Sequence, residues 1–184
     1  MADHVTTLPF KRGQTLHGGN TNNVASDVEQ EYLGIEVEDV DTVHGTNRIV
    51  TFVVAKNKAG STVAAKRTVP WKLAANQRGR SFGSYTTGIA AAVAGVVDPE
   101  LGSTGCVAKD VCLIQTQGPC DVVMGDIASA VVFGDLIVTD DDSDGGKVGE
   151  AASAAAYIAN PVGTADEAAS STDAEFRVIL DCRR

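Results

Sequence analysis

Arg48-Ile49-Val50-Thr51-Phe52-Val53-Val54-Ala55 is the stretch on which the fold turns. β-Branched and aromatic side chains dominate it, and nearly every position is apolar. That is the pattern of a strand covered on both faces rather than one with a wet side. Asn57-Lys58-Ala59-Gly60-Ser61 reads as a turn, and Thr62 to Trp71 as a returning strand whose end or edge is marked by Pro70. The spacing predicts a hairpin between the two. Upstream, Tyr32 to Glu38 alternates and places Ile35 and Val37 on one face.

Downstream, residues 73–88 (LAANQRGRSFGSYTTG) read as a polar loop. Ile89 to Val97 (IAAAVAGVV) is a compact apolar run, a short helix by its alanines or a buried strand by its valines, closed by Asp98-Pro99 and a turn from Glu100 to Gly105. The remainder repeats strand and turn. Val111 to Thr116 is predicted to stop at Gly118-Pro119, and Asp121 to Met124 at Gly125-Asp126. Ala130 to Phe133, Leu136 to Thr139 and Phe176 to Leu180 are the other expected strands, and Lys147 to Ile158 is ambiguous between helix and strand. Short strands punctuated by glycine imply a mainly β chain, a small β-sandwich or barrel-like domain.

Composition agrees. The chain has 184 residues, 43% of them hydrophobic, and 19 glycines, enough apolar material for one packed domain. A net charge of −9 disfavours broad attraction to nucleic acid and favours a neutral or basic partner surface. No apolar run approaches the ~20 residues of a membrane span, and MADHVTTLPFKRG lacks the apolar stretch of a signal peptide, so synthesis in a cytoplasm is expected.

Residues 1–30 read as an extended, flexible arm, since HGGNTNNVASD has almost nothing to bury. Within it, Leu8 and Phe10 with Lys11 and Arg12 form an apolar and basic cluster suited to ordering on a neighbour, although a free terminus with chance hydrophobics reads the same way. Residues 31–87 form the hairpin-containing region and 88–184 a β-rich core domain. Charge is segregated between them. Residues 26–41 carry acids only (Asp27, Glu29, Glu31, Glu36, Glu38, Asp39, Asp41) and residues 56–80 bases only (Lys56, Lys58, Lys66, Arg67, Lys72, Arg78, Arg80). Neighbouring strands pairing opposite charges would explain this. Complementary patches on different subunits would too, with Lys66 and Arg67 as contacts. Binding of nucleic acid by the basic block is the weakest explanation in so acidic a chain.

Little suggests chemistry. Asp140, Asp142 and Asp144 followed by Gly145 imitate the first half of an EF-hand calcium loop, but its twelfth position is Ala151 where a bidentate glutamate belongs, and Glu150 lies one place early. A solvated turn uses the same residues. The histidines, His4, His17 and His44, fall in or near the arm, and no nucleophile elbow, zinc-protease motif or phosphate loop is present. Cys106, Cys112, Cys120 and Cys182 lack metal-ligand spacing and read as buried thiols or a late-forming disulfide. Gly118-Pro119-Cys120 has no local base to make the thiol a nucleophile. Trp71, beside Pro70, reads as a core or edge-packing side chain more readily than as a surface anchor.

The order of segments from about Gly88 to Leu180 resembles the tailed-bacteriophage capsid cement, or decoration, proteins. The features are GIAAAVAGVV, then VAKDVCLIQTQGPCDVVM, then GDIASAVVFGDLIVTDDDSDGGKV with Gly-Asp before a strand and an Asp/Gly turn after it, then an alanine-rich stretch and a terminal EFRVIL strand. The likeness covers about half the chain. It implies a non-enzymatic, often trimeric virion protein that binds the major capsid protein at capsomer junctions, with no cofactor, nucleic acid or membrane involved. A calcium- or carbohydrate-binding β module is the alternative from another class, and a small hydrolase using Cys120 a further one.

Overall fold

The structure, a computed structural model, describes residues 11–16, 32–72, 79–84, 93–125, 130–139, 146–151 and 161–182. It is mainly β, as the glycine-punctuated apolar runs imply. Among the described residues ten strands form one sheet: β1 Glu36–Val40, β2 Ile49–Asn57, β3 Thr68–Pro70, β4 Ser81–Phe82, β5 Val93–Val97, β6 Val111–Val123, β7 Leu136–Thr139, β8 Val148–Glu150, β9 Pro161–Ala165 and β10 Glu175–Asp181. The main path runs β1-β2-β6-β10-β9-β7-β8, with β3, β4 and β5 attached beside it. Every pair is antiparallel except β2 with β4.

β2 is buried on both faces, as its unbroken apolar run requires. Val50, Phe52 and Val54 point into one core group with Val111 and Leu113, onto which Leu16, Tyr32, Leu33, Ile35 and Val37 fold. Val53 and Ala55 point the other way, into a group with Val69, Trp71, Phe82, Ala94, Val97 and Ile114. The expected hairpin between residues 48–55 and 62–71 does not form. Both edges of β2 are already taken, by β1 and β4 on one side and β6 on the other, and β3 pairs with β5 instead. The hairpin that does exist joins β1 to β2 through residues 41–48. Of the second predicted strand only Thr68–Pro70 is regular, with Val63 making a single bridge to Cys106.

β6 is the spine. Its first half pairs with β2 from Lys56↔Val111 to Thr51↔Gln117, and its second half with β10 from Asp181↔Gln117 to Glu175↔Val123. Gly118-Pro119 does not stop it, contrary to expectation. Pro119 lies opposite Ile179, and Gly118 takes φ 87° at the point where β6 passes from one partner to the other. A Cβ at Gly118 would sit 2.6 Å from the carbonyl oxygen of Ile49, so only glycine fits there. The buried amide of Gln115 spans the bend, its Nε2 donating to the carbonyls of Pro119 at 2.6 Å and Gln117 at 3.2 Å. β6 thus joins strands from both sides of residue 88 in one sheet.

The second half curls back on itself. β10, β9, β7 and β8 follow in order, and β8 returns to the end of β6 through the bridge Met124↔Val148 and a bond from Gly125 N to Val148 O at 2.9 Å. Phe176, Val178, Leu180, Cys120, Val122, Ile137 and Val162 fill the interior so enclosed. Ala130–Phe133 is not a strand; Val131 alone bridges Ala169. The polar segment 73–88 contains β4, whose Ser81 and Phe82 are buried. The valine-rich run is a strand over Val93–Val97, and Asp98 caps the 3-10 helix Pro99–Thr104 by accepting from Glu100 N.

Candidate functional site

The strongest polar constellation lies where the 41–48 loop meets the second half of β6. Asp41 is buried and accepts hydrogen bonds from Thr46 Oγ1 at 2.5 Å, His44 N at 3.2 Å and His44 Nδ1 at 3.0 Å. The other ring nitrogen of His44 lies 2.9 Å from Asp121 Oδ1. Asp121 is in turn 3.7 Å from Lys66 Nζ, and Lys66 pairs with Glu175. Arg177, directly opposite Asp121 on β10, binds Asp166 at 2.7 Å and Glu167 at 3.2 Å. The result is a continuous polar chain, from Asp41 through the His44 ring, Asp121 and Lys66 to Glu175. Burial by itself would push the Asp41 carboxyl up, but the hydrogen bonds from Thr46 and from the backbone and ring of His44 outweigh it and hold it below the usual 3.8. A hydrogen bond from Arg177 to Asp166 pushes the guanidinium higher still.

This arrangement fastens. A general base needs a free ring nitrogen facing a nucleophile, and here each nitrogen of His44 faces a carboxylate. What the cluster does is tie a loop to strands far away in sequence.

The predicted contact residues are dispersed. Leu8, Phe10, Asp140, Asp142 and Asp144 lie outside the described residues. Among the described residues, no group of three or more His, Cys, Asp or Glu side chains could hold a metal ion. Lys11 and Arg12, assigned to a flexible arm, belong to a segment folded on the chain's own sheet. Leu16 and Val111 exchange two backbone bonds of 2.9 Å, and Gly13 N donates to buried Asp98 at 2.7 Å. Arg12 lies 4.9 Å over the Phe52 ring and bonds Glu100 at 2.9 Å, with only 13% of its side chain exposed. With Asp39 3.9 Å from its other terminal nitrogen, Arg12 is engaged by the ring and two acids of its own chain. Burial pushes the Asp98 carboxyl up, against the bonds from Gly13 and Glu100 and the charge of Arg12. Lys66 is engaged as described, and Arg67 is half-buried beside it. Among the described residues no acid of the first block stands opposite a base of the second, since the β1–β2 register runs from Glu36↔Val53 to Val40↔Ile49 and stops short of Lys56.

All four cysteines are buried and unbridged. Cys106 and Cys112 share the core group of Trp71, and Cys120 and Cys182 the interior enclosed by β6 to β10. Burial pushes the Cys112 and Cys120 thiols well above their ordinary value and Cys182 to about 12. Cys120, buried and with its thiol pushed up, is thus a poor nucleophile. Trp71 is a core side chain.

The sequence reading missed the exposed apolar residues. Val40 and Ile49, a cross-strand pair, are 45% and 63% exposed, with Val43 in the adjoining loop. Phe133 is 74% exposed between Val132 and Leu136. Its turn is pinned: Asp135 N donates to Val132 O, Val132 N to Asp135 Oδ2, and Gly134 N to Ala165 O. With φ 92° at Gly134, this is the geometry that presents the preceding side chain outward. The available signal is Val132-Phe133-Gly134-Asp135, whose apolar residues before Gly-Asp also fit the end of a strand. Among the described residues no helix is long and apolar enough to cross a membrane.

Comparison with protein-family models and with curated proteins returned no match to this chain.

Proposed function

We propose that this chain is a non-enzymatic structural protein of a tailed-phage head, a cement protein that binds the major capsid protein at capsomer junctions as a homotrimer. The observation that carries the reading is Phe133. A large aromatic held three-quarters exposed on a turn closed by three hydrogen bonds costs exposure and gains nothing for its own fold. It suits an anchor that enters a partner's pocket with little ordering left to do. The stiff sheet behind it and the order of segments in residues 88–180 support the same role, because a fastener must transmit load without deforming.

The test is sedimentation of the purified protein with undecorated phage heads. The expected result is co-sedimentation at a fixed ratio, weakened about tenfold or more by Phe133→Ser, with the isolated protein showing the light-scattering mass of three chains. Absence from the head fraction would overturn the reading.

A further inference from the structure

We propose that the outer edge of β1 takes up an extended, basic segment of a partner protein as an additional strand. The two ends of the main sheet path differ. β8 is closed against Met124 and Gly125 at the end of β6, whereas among the described residues no strand pairs the outer edge of β1. Asp41 N donates to Arg48 O and Val54 N to Ile35 O, so with this register the odd-numbered residues of β1 turn their backbone groups toward β2. The N–H and C=O of Glu38 therefore face outward, as does the C=O of Val40. The Val40 N–H is held by Asp39 Oδ1 at 2.8 Å.

The side chains say what kind of strand fits. Glu36 and Glu38 stand on one face of β1 and Asp39 on the other, and Glu38 and Asp39 are exposed, Asp39 even beside Arg12. Next to them the exposed pair Val40 and Ile49 forms an apolar corner. A second copy of β1 would set acids against acids across the new ladder, which is unfavourable. A strand carrying lysine or arginine with alternating apolar residues would satisfy the outward backbone groups, meet the exposed Glu38 carboxylate and cover the corner together. Acidic residues on an open edge also keep identical molecules apart, and that protection holds only against partners of like charge. In its choice of partner, a basic segment of the shell protein, the inference rests on the virion reading.

The probe is a short peptide alternating lysine and valine, with one alternating glutamate and valine as control, added to the full chain and followed by calorimetry and amide hydrogen exchange. The lysine peptide should bind, slow exchange at Glu38 about tenfold or more, and leave the glutamate peptide unbound. Glu38→Pro removes the outward N–H together with the carboxylate, a change edge strands tolerate, and should weaken binding about tenfold, while Glu38→Gln, which removes the charge and keeps the backbone, should weaken it about threefold. Equal binding of both peptides, protection appearing away from β1, or undiminished binding by both variants would overturn the proposal. Peptide uptake without affinity for phage heads would uphold the edge site and sink the virion reading; head binding without peptide uptake would do the reverse.

Discussion

A buried carboxylate held by hydrogen bonds supports the fold only while it is ionised. Asp41, kept below 3.8 by Thr46 and His44, favours the folded state at any pH above the ordinary carboxylate range, and that contribution is lost as pH falls through its lowered folded value. Urea unfolding followed from neutrality to acid should therefore show a stability decline below about pH 4 that is shallower in Asp41→Asn. His44→Ala should cost about 1–2 kcal/mol at neutral pH, and less once Asp41 is protonated in both states. None of this was legible beforehand. His44 looked like a residue at the edge of an arm, and Asp121, its partner 77 positions away, was one among 24 acids. Local patterns carry no information on which distant side chains will meet. Trp71 and the buried thiols were legible, because small or apolar side chains in apolar surroundings have one cheap place to go.

Strands whose own residues decide their burial could be read directly. β2 was recognisable because apolar side chains at successive positions can be hidden only from both faces, and β7 and β10 because they alternate between turn residues. Pairing was another matter. A strand's edges are alike in sequence whichever neighbour they meet, so the sequence points to the nearest returning strand as the partner of β2, whereas the structure pairs it with β6. β4, two residues long, is too short for any period to show. Gly118-Pro119 misled because its local meaning is a stop, whereas here the missing N–H and the positive φ fall where β6 leaves β2 for β10. Gly118→Ala tests this. It combines a left-handed backbone with a clash on Ile49 O, and should lower stability by about 2–4 kcal/mol, read as a shift in the denaturant midpoint at unchanged slope.

For the molecule as a whole, fold class followed from composition and punctuation, and the extent of the N-terminal arm did not. Residues 11–16 pack because Arg12 finds an aromatic face and two acids, which a composition-based reading of the segment could not foresee. Deleting residues 1–10 should leave every one of those contacts in place. Deleting 1–16 uncovers Phe52, removes the Leu16–Val111 pair and strands Asp98, and should cost about 2–3 kcal/mol, a thermal midpoint lower by about 5–10 °C, without loss of the β spectrum. Finally, one strand serves both halves of the body. Because β6 is stitched to β2 along its beginning and to β10 along its end, neither half can melt by itself without ripping the seam from its neighbour. Damage at either end is thus felt everywhere, and heat should undo the protein in a single cooperative step rather than lobe by lobe.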